Sequence, residues 1–139
     1  MIYSVDVHVS AAVQDTEVTD RVADAVRNLF PEADVEHEPG RIAAETHSMD
    51  HFSELLHRQE ILDTARREFQ KRRSGDAFSF TLKKQPAFKG VVNFAVGNPD
   101  ELGDVEVHVT VHEPSVEEFV DHVAPPTEEG TPVDPDGDR

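Results

Sequence analysis

Apolar and polar residues alternate from the start of the chain. Tyr3, Val5, Val7, Val9 and Ala11 fall on one side of an extended segment, Ser4, Asp6, His8 and Ser10 on the other. A period of two predicts a half-buried strand. The pattern then turns helical, with Val18, Val22, Ala25, Val26 and Leu29 at helical spacing, a cap at Asp15 or Thr16, and Pro31 as the stop. Residues 33–37 and 41–47 flank Glu38-Pro39-Gly40-Arg41, whose Pro-Gly centre suits a type II turn; they predict a hairpin or one kinked strand. From Ser48 or Asp50 a long helical run carries Phe52, Leu55, Leu56, Gln59, Leu62, Ala65, Arg66 and Phe69 on or beside one face. The polar stretch His57-Arg58-Gln59-Glu60 is where that run can divide.

Alternation returns over 77–83, with Phe78, Phe80 and Leu82 directed inward. Residues 91–96 predict another strand, closed by Gly97-Asn98-Pro99-Asp100, and Val105, Val107, Val109 and Val111 form the inward row of the last. Ser115 and Glu118 make a capping box ahead of Val116, Phe119, Val120 and Val123. The predicted order is β-α-β-β-α-β-β-β-α, an α+β fold with an antiparallel or mixed sheet and helices on one face. The other face would be open and polar, presenting Asp6, His8, Ser79, Thr81, Lys83, Glu106, His108 and Thr110. This gives one domain over 1–124, followed by an acidic, Pro-rich tail over 125–139 that lacks an apolar period and is expected to be disordered.

Composition sharpens the picture. The chain has 13 Lys and Arg against 29 Asp and Glu, a formal net charge of −16. The acids are spread along the whole chain, like the surface of a protein from a salt-loving archaeon, where a Debye length of ~3 Å near molar salt screens self-repulsion. Without cysteine there is neither a disulfide framework nor a thiolate zinc site. No apolar run approaches the ~20 residues of a membrane span and no secretory leader pattern opens the chain, so a cytoplasmic protein is expected.

Against this acidity, nine of the 13 cations lie between positions 58 and 89: Arg58, Arg66, Arg67, Lys71, Arg72, Arg73, Lys83, Lys84 and Lys89. Only Glu60, Asp63, Glu68 and Asp76 oppose them there. The five from Arg66 to Arg73 sit near a helix C-terminus, where the dipole by itself favours cations. Lys83, Lys84 and Lys89 bracket a turn that also holds Gln85, a two-way hydrogen-bonding amide, and Phe88, a candidate stacking surface. Guanidinium forks and ammonium groups suit phosphate. Arg66, Arg67, Lys71, Arg72, Arg73, Lys83, Lys84, Gln85 and Lys89 are therefore the expected RNA contacts. The rival reading gives the same patch to an acidic protein partner, or to the chain's own tail through Glu128, Glu129, Asp134, Asp136 and Asp138. An open sheet edge could also pair with a second copy to form a homodimer.

Catalytic signals are sparse. No Gly-x-Ser-x-Gly elbow, dinucleotide fingerprint or nucleotide-triphosphate loop occurs, and no serine stands next to an obvious base. His47 with His51 and His108 with His112 stand four apart; four strand residues span ~13 Å, too far for His108 and His112 to share one ion, and His47 with His51, at a strand-to-helix junction, lack a third ligand at an orthodox spacing. No metal, cofactor or catalytic residue is expected. A small enzyme, the remaining alternative, requires a pocket with a converging acid and base or a bound metal.

Three motifs carry a resemblance. Gln59-x-Ile61-Leu62-Asp63-Thr64-Ala65-Arg66, then Phe80-x-Leu82-x-Lys84-Gln85-x-Ala87-x-x-Gly90-x-Val92-x-Phe94, then Leu102-Gly103-x-Val105-x-Val107 resemble an archaeal family of small uncharacterised proteins classed as RNA-binding. Val13-x-x-Thr16-Glu17 and Asn28-Leu29-Phe30-Pro31 fit as well. The resemblance implies RNA binding and a fold related to the large-subunit ribosomal protein that binds 5S rRNA, an antiparallel sheet backed by helices. Where the family usually has Asn before and Ala after its Lys-Gln pair, this chain has Lys83 and Pro86; the proline removes an amide donor and stiffens the turn.

Overall fold

The computed structural model describes residues 3–95, 103–128 and 131–132. Its frame is a six-stranded antiparallel sheet. In chain order the elements are β1 (Ser4–Ala12), α1 (Thr19–Leu29), β2 (Asp34–Glu38), β3 (Arg41–Thr46), α2 (Asp50–Arg58), α3 (Leu62–Lys71), β4 (Arg73–Ser74), β5 (Ala77–Lys83), α4 (Lys84–Ala87), β6 (Asp104–Glu113) and α5 (Val116–Val123). A two-stranded ladder of β7 (Thr127–Glu128) and β8 (Thr131–Pro132) follows. The strand order is β2-β3-β1-β6-β5-β4, so the first strand and the last long one lie together at the centre.

Alternation decides which face is buried. Val5, Val7, Val9 and Ala11 of β1, Phe78, Phe80 and Leu82 of β5, and Val105, Val107, Val109 and Val111 of β6 all enter one core. The apolar stripes of the helices close it: Val22, Val26 and Leu29 from α1, Phe52 and Leu56 from α2, Leu62 and Phe69 from α3, Phe119 and Val120 from α5. Phe69 lies 4.9 Å from both Phe78 and Phe80, centroid to centroid, within the range for favourable ring pairs. The opposite row of each long strand is exposed or half-buried. An α+β fold with helices backing an antiparallel sheet is thus present, as the periodicity predicts.

Several local expectations meet their cause in the structure. Glu38 pairs with Arg41 across the predicted hairpin, and Gly40 takes the required φ of +74°. Ser115 Oγ accepts the Glu118 amide at 3.2 Å, as the capping box requires. The long helical run divides where its polar stretch falls. The Ile61 amide donates to Leu56 O and the Glu60 amide to His57 O, a Schellman ending with Glu60 at φ +58°.

Other expectations are corrected. Neither Asp15 nor Thr16 caps α1, because the helix begins only at Thr19 and puts Val18, which has no capping group, at the N-cap position. The strand expected over 91–96 is reduced to one bridge, Leu82 to Phe94, with Lys83 N to Asn93 O and Ala95 N to Thr81 O beside it. The Gly97-to-Asp100 turn and Val96 lie outside the described residues. The Lys84–Ala87 turn is a short helix. Part of the expected disordered tail is placed: the β7 residue Thr127 donates its hydroxyl to Asp63 of α3.

Candidate nucleic-acid interface

The nine sequence-predicted contacts do not form one patch, and the most buried of them is Lys84. Its side chain is 1% exposed. From the start of α4 its Nζ donates to Ala12 O at 2.5 Å and to Glu17 Oε1 at 2.9 Å, and Glu17 is itself only 7% exposed. The Gln14 amide donates to the same Glu17 oxygen. Lys84 therefore cannot meet phosphate as expected. It ties the end of β1 and the approach to α1 to the end of β5, and a buried ammonium needs those partners because leaving it unpaired costs several kcal/mol.

Three further residues that carry the family resemblance are also occupied in architecture. Gln59 clamps Val92 with both ends of its amide, Nε2 to the carbonyl at 2.8 Å and Oε1 from the amide at 2.9 Å, serving as a short strand partner. Asn28 Nδ2 donates to the carbonyls of Ala87 and Phe88 and so holds the end of α4. Arg66 Nη1 donates to Asp121 Oδ1 and to Ala124 O, both at 2.7 Å, clasping α3 to α5. Phe88, expected as a stacking surface, is half-buried against the core with the Arg21 guanidinium 5.9 Å from its ring centre.

The remaining cations separate into two kinds. Lys71 and Arg73 are exposed but paired, with Glu68 at 2.9 Å and Glu117 at 2.7 Å. Arg67, Gln85 and Lys89 are exposed, and Lys83 is half-buried on the open face of β5. Arg72 reaches over that same face, where Nη2 donates to Thr81 Oγ1 at 2.6 Å. Lys83 is the next same-side residue, roughly 7 Å along the strand. Arg72 thereby lines a groove of about 340 Å³ across the open face, together with His8, Arg41, Ser79, Glu106 and His108. Arg41 was outside the basic window of the sequence, and only strand pairing brings it to this groove.

A second cluster on the open face escaped residue spacing altogether. Opposite each other in the β1–β3 pairing, or nearly so, stand Asp6 with His47 and His8 with Glu45. His47 Nδ1 lies 3.1 Å from Asp6 Oδ1 and 3.0 Å from Val5 O. On the other side, the pairing of β1 with β6 shifts between Ser4 and Val5 and leaves His112 as the extra residue. That bulge brings His112 Nε2 to 2.8 Å from Asp6 Oδ2. The hydrogen bond from His112, with the nearby His47 charge, holds the Asp6 carboxyl below its ordinary value. The Val5 carbonyl, and then the Asp6 and Glu45 charges, raise His47 above the ordinary imidazole value. Asp6, Glu45 and His47 are the one group of three metal-competent side chains among the described residues whose ligand atoms all lie within 4.8 Å of one another.

A family model described as RNA binding matches residues 6–113, from β1 to the end of β6. A UPF0201 protein of Methanocaldococcus jannaschii is 32% identical over 137 residues, covering 94% of this chain and 79% of the relative. The chain belongs to the UPF0201 family. The UPF0200/UPF0201 protein of Archaeoglobus fulgidus is 37% identical over 131 residues, and the chain spans only 40% of its length. A crystal structure of the UPF0201 protein from Methanococcus jannaschii superimposes with a TM-score of 0.83 at 31% identity, covering 93% of this chain and 99% of that one. A second UPF0201 crystal structure gives 0.82 at 35% identity. The archaeal family expected from the Lys84-Gln85 motif is therefore the right one. No helix among the described residues is long and apolar enough to cross a membrane.

Proposed function

We propose that this UPF0201 protein binds RNA without catalysing a reaction, using the open face of its sheet and the cations at its β5 side. Arg72 and Lys83 meet phosphate across the groove, with Arg67, Lys71, Arg73, Gln85 and Lys89 as flanking contacts. Lys84 and Arg66 hold the frame. The observation that carries this reading is a family match described as RNA binding over the residues that build this sheet, together with a polar groove that two guanidinium groups border. Such a face suits single-stranded or loop RNA, whose splayed bases can lie against a sheet while phosphates meet the rim. The resemblance to the 5S-rRNA-binding ribosomal protein makes 5S rRNA the first RNA to try.

Fluorescence anisotropy of labelled 5S rRNA and of pooled archaeal RNA at ~2 M KCl tests it, since salt that high removes generic charge attraction. Saturable binding by the wild-type chain, weakened about tenfold or more in an Arg72→Glu, Lys83→Glu variant with unchanged circular dichroism, is the expected result. If the chain binds neither RNA, or the variant binds equally well, the basic groove is not an RNA site and an acidic protein partner becomes the leading reading.

A further inference from the structure

We propose that Asp6, Glu45 and His47 form a binding site for one divalent first-row transition-metal ion on the open face of the sheet. The site is independent of RNA binding. Its donors come from facing strands whose register is fixed by backbone pairing, Asp6 from β1, Glu45 from the body of β3, and His47 from just beyond it.

The distances are already close to those of a metal site. An ion with bonds of about 2.1 Å holds tetrahedral ligands roughly 3.4 Å apart. Asp6 Oδ1 and His47 Nδ1 stand 3.1 Å apart, and all three donors lie within 4.8 Å. Glu45, whose other neighbour is His8 at 3.7 Å, is exposed and closes the difference by a rotamer change. Two carboxylates balance the dication, while the imidazole selects transition metals over Mg²⁺.

One group beside the donors is arranged as metal sites require. His112, delivered by the bulge in β6, hydrogen-bonds the second oxygen of Asp6 and fixes the plane of that carboxylate. The Val5 carbonyl, 3.0 Å from the same His47 Nδ1, hydrogen-bonds that nitrogen in the metal-free protein and is released when the ion takes its place. A proton on His47 Nδ1, which faces both Asp6 Oδ1 and Val5 O, has to leave before the ion can take that nitrogen. Binding therefore expels a proton from His47 to solvent and leaves one or more coordination positions to water. Residue spacing concealed the set because Asp6 is about forty positions from Glu45 and His47 and more than a hundred from His112.

Isothermal titration of the chelator-treated full chain with Zn²⁺, Mn²⁺ and Mg²⁺, at about pH 7.5 and ~2 M KCl, tests the site. One Zn²⁺ per chain is expected, with affinity in the order Zn²⁺ over Mn²⁺ over Mg²⁺. Asp6→Asn and His47→Ala should each weaken Zn²⁺ at least tenfold, and His51→Ala should leave it unchanged. In the wild-type chain, Mn²⁺ should broaden the His47 and His112 ring resonances before those of His51 and His57, a readout that needs no variant. Absence of saturable Zn²⁺ binding, affinity in the Asp6→Asn and His47→Ala variants equal to that of the wild type, or first broadening at histidines other than His8, His47 and His112 would overturn the proposal.

Discussion

Replacing Lys84 with Met is the sharpest test of how the frame is held. The substitution keeps most of the side-chain volume and removes the charge from a position 1% exposed. Glu17, 7% exposed, then loses its cation, and Ala12 O loses a donor at 2.5 Å. Breaking a buried ion pair from one side costs about 3–5 kcal/mol, chiefly because the surviving charge stays desolvated. Partial relief is available, since the Gln14 amide still donates to Glu17. The loss should therefore fall near the lower bound, about 3 kcal/mol, or on the order of 10 °C in Tm for a domain of this size. Removing both charges should recover much of it, so a Glu17→Gln, Lys84→Met cycle should give a coupling of about 2 kcal/mol. Urea unfolding followed by circular dichroism at ~2 M KCl supplies the numbers. A Lys84→Met protein within about 0.5 kcal/mol of wild type, yet deficient in RNA binding, would refute the structural assignment and return Lys84 to the interface.

Other outcomes follow from single features. Glu60 ends α2 at φ +58°, so Glu60→Gly should raise stability by about 1 kcal/mol in the same urea assay. Gln59→Ala strips both hydrogen bonds from Val92; a loss of about 2 kcal/mol and faster amide exchange at Val92 are expected. By NMR, His47 should titrate above its ordinary 6.5, and Asp6→Asn should lower it part of the way because the Val5 carbonyl contact survives. The linked stability is present below 6.5 and is lost as pH rises through the raised folded value. For Asp6 it is present above 3.8 and is lost as pH falls through the depressed folded value. With a net charge of −16, the chain should melt several degrees higher at ~2 M KCl than at ~0.1 M.

The strands were legible where a period of two is enforced by burial on one side, so β5 was predicted residue for residue over 77–83. The segment at 91–96 read as a strand because Val92 and Phe94 do alternate inward. Half of its hydrogen bonding, however, is supplied by the Gln59 side chain, which no backbone pattern reveals. The site was harder to read. Lys84 looked like a surface cation because charge is visible in a sequence while the partner that buries it, Glu17, stands 67 positions away. Asp6, His47 and His112 were passed over for the converse reason: spacing along one strand says nothing about neighbours contributed by three.

The central pairing of β1 with β6 also sets the order in which the molecule can be assembled. Val5 finds its partner Val111 only after nearly the whole domain has been made. The β2–β3 hairpin and the α2–α3 pair form from nearby residues and can wait as separate pieces. Neither can close the core until residues 104–113 insert between β1 and β5. Folding speed is then governed by one late, long-range search, a slow step for a chain of this length. Until it is complete, two apolar strand edges are open to strands of other chains.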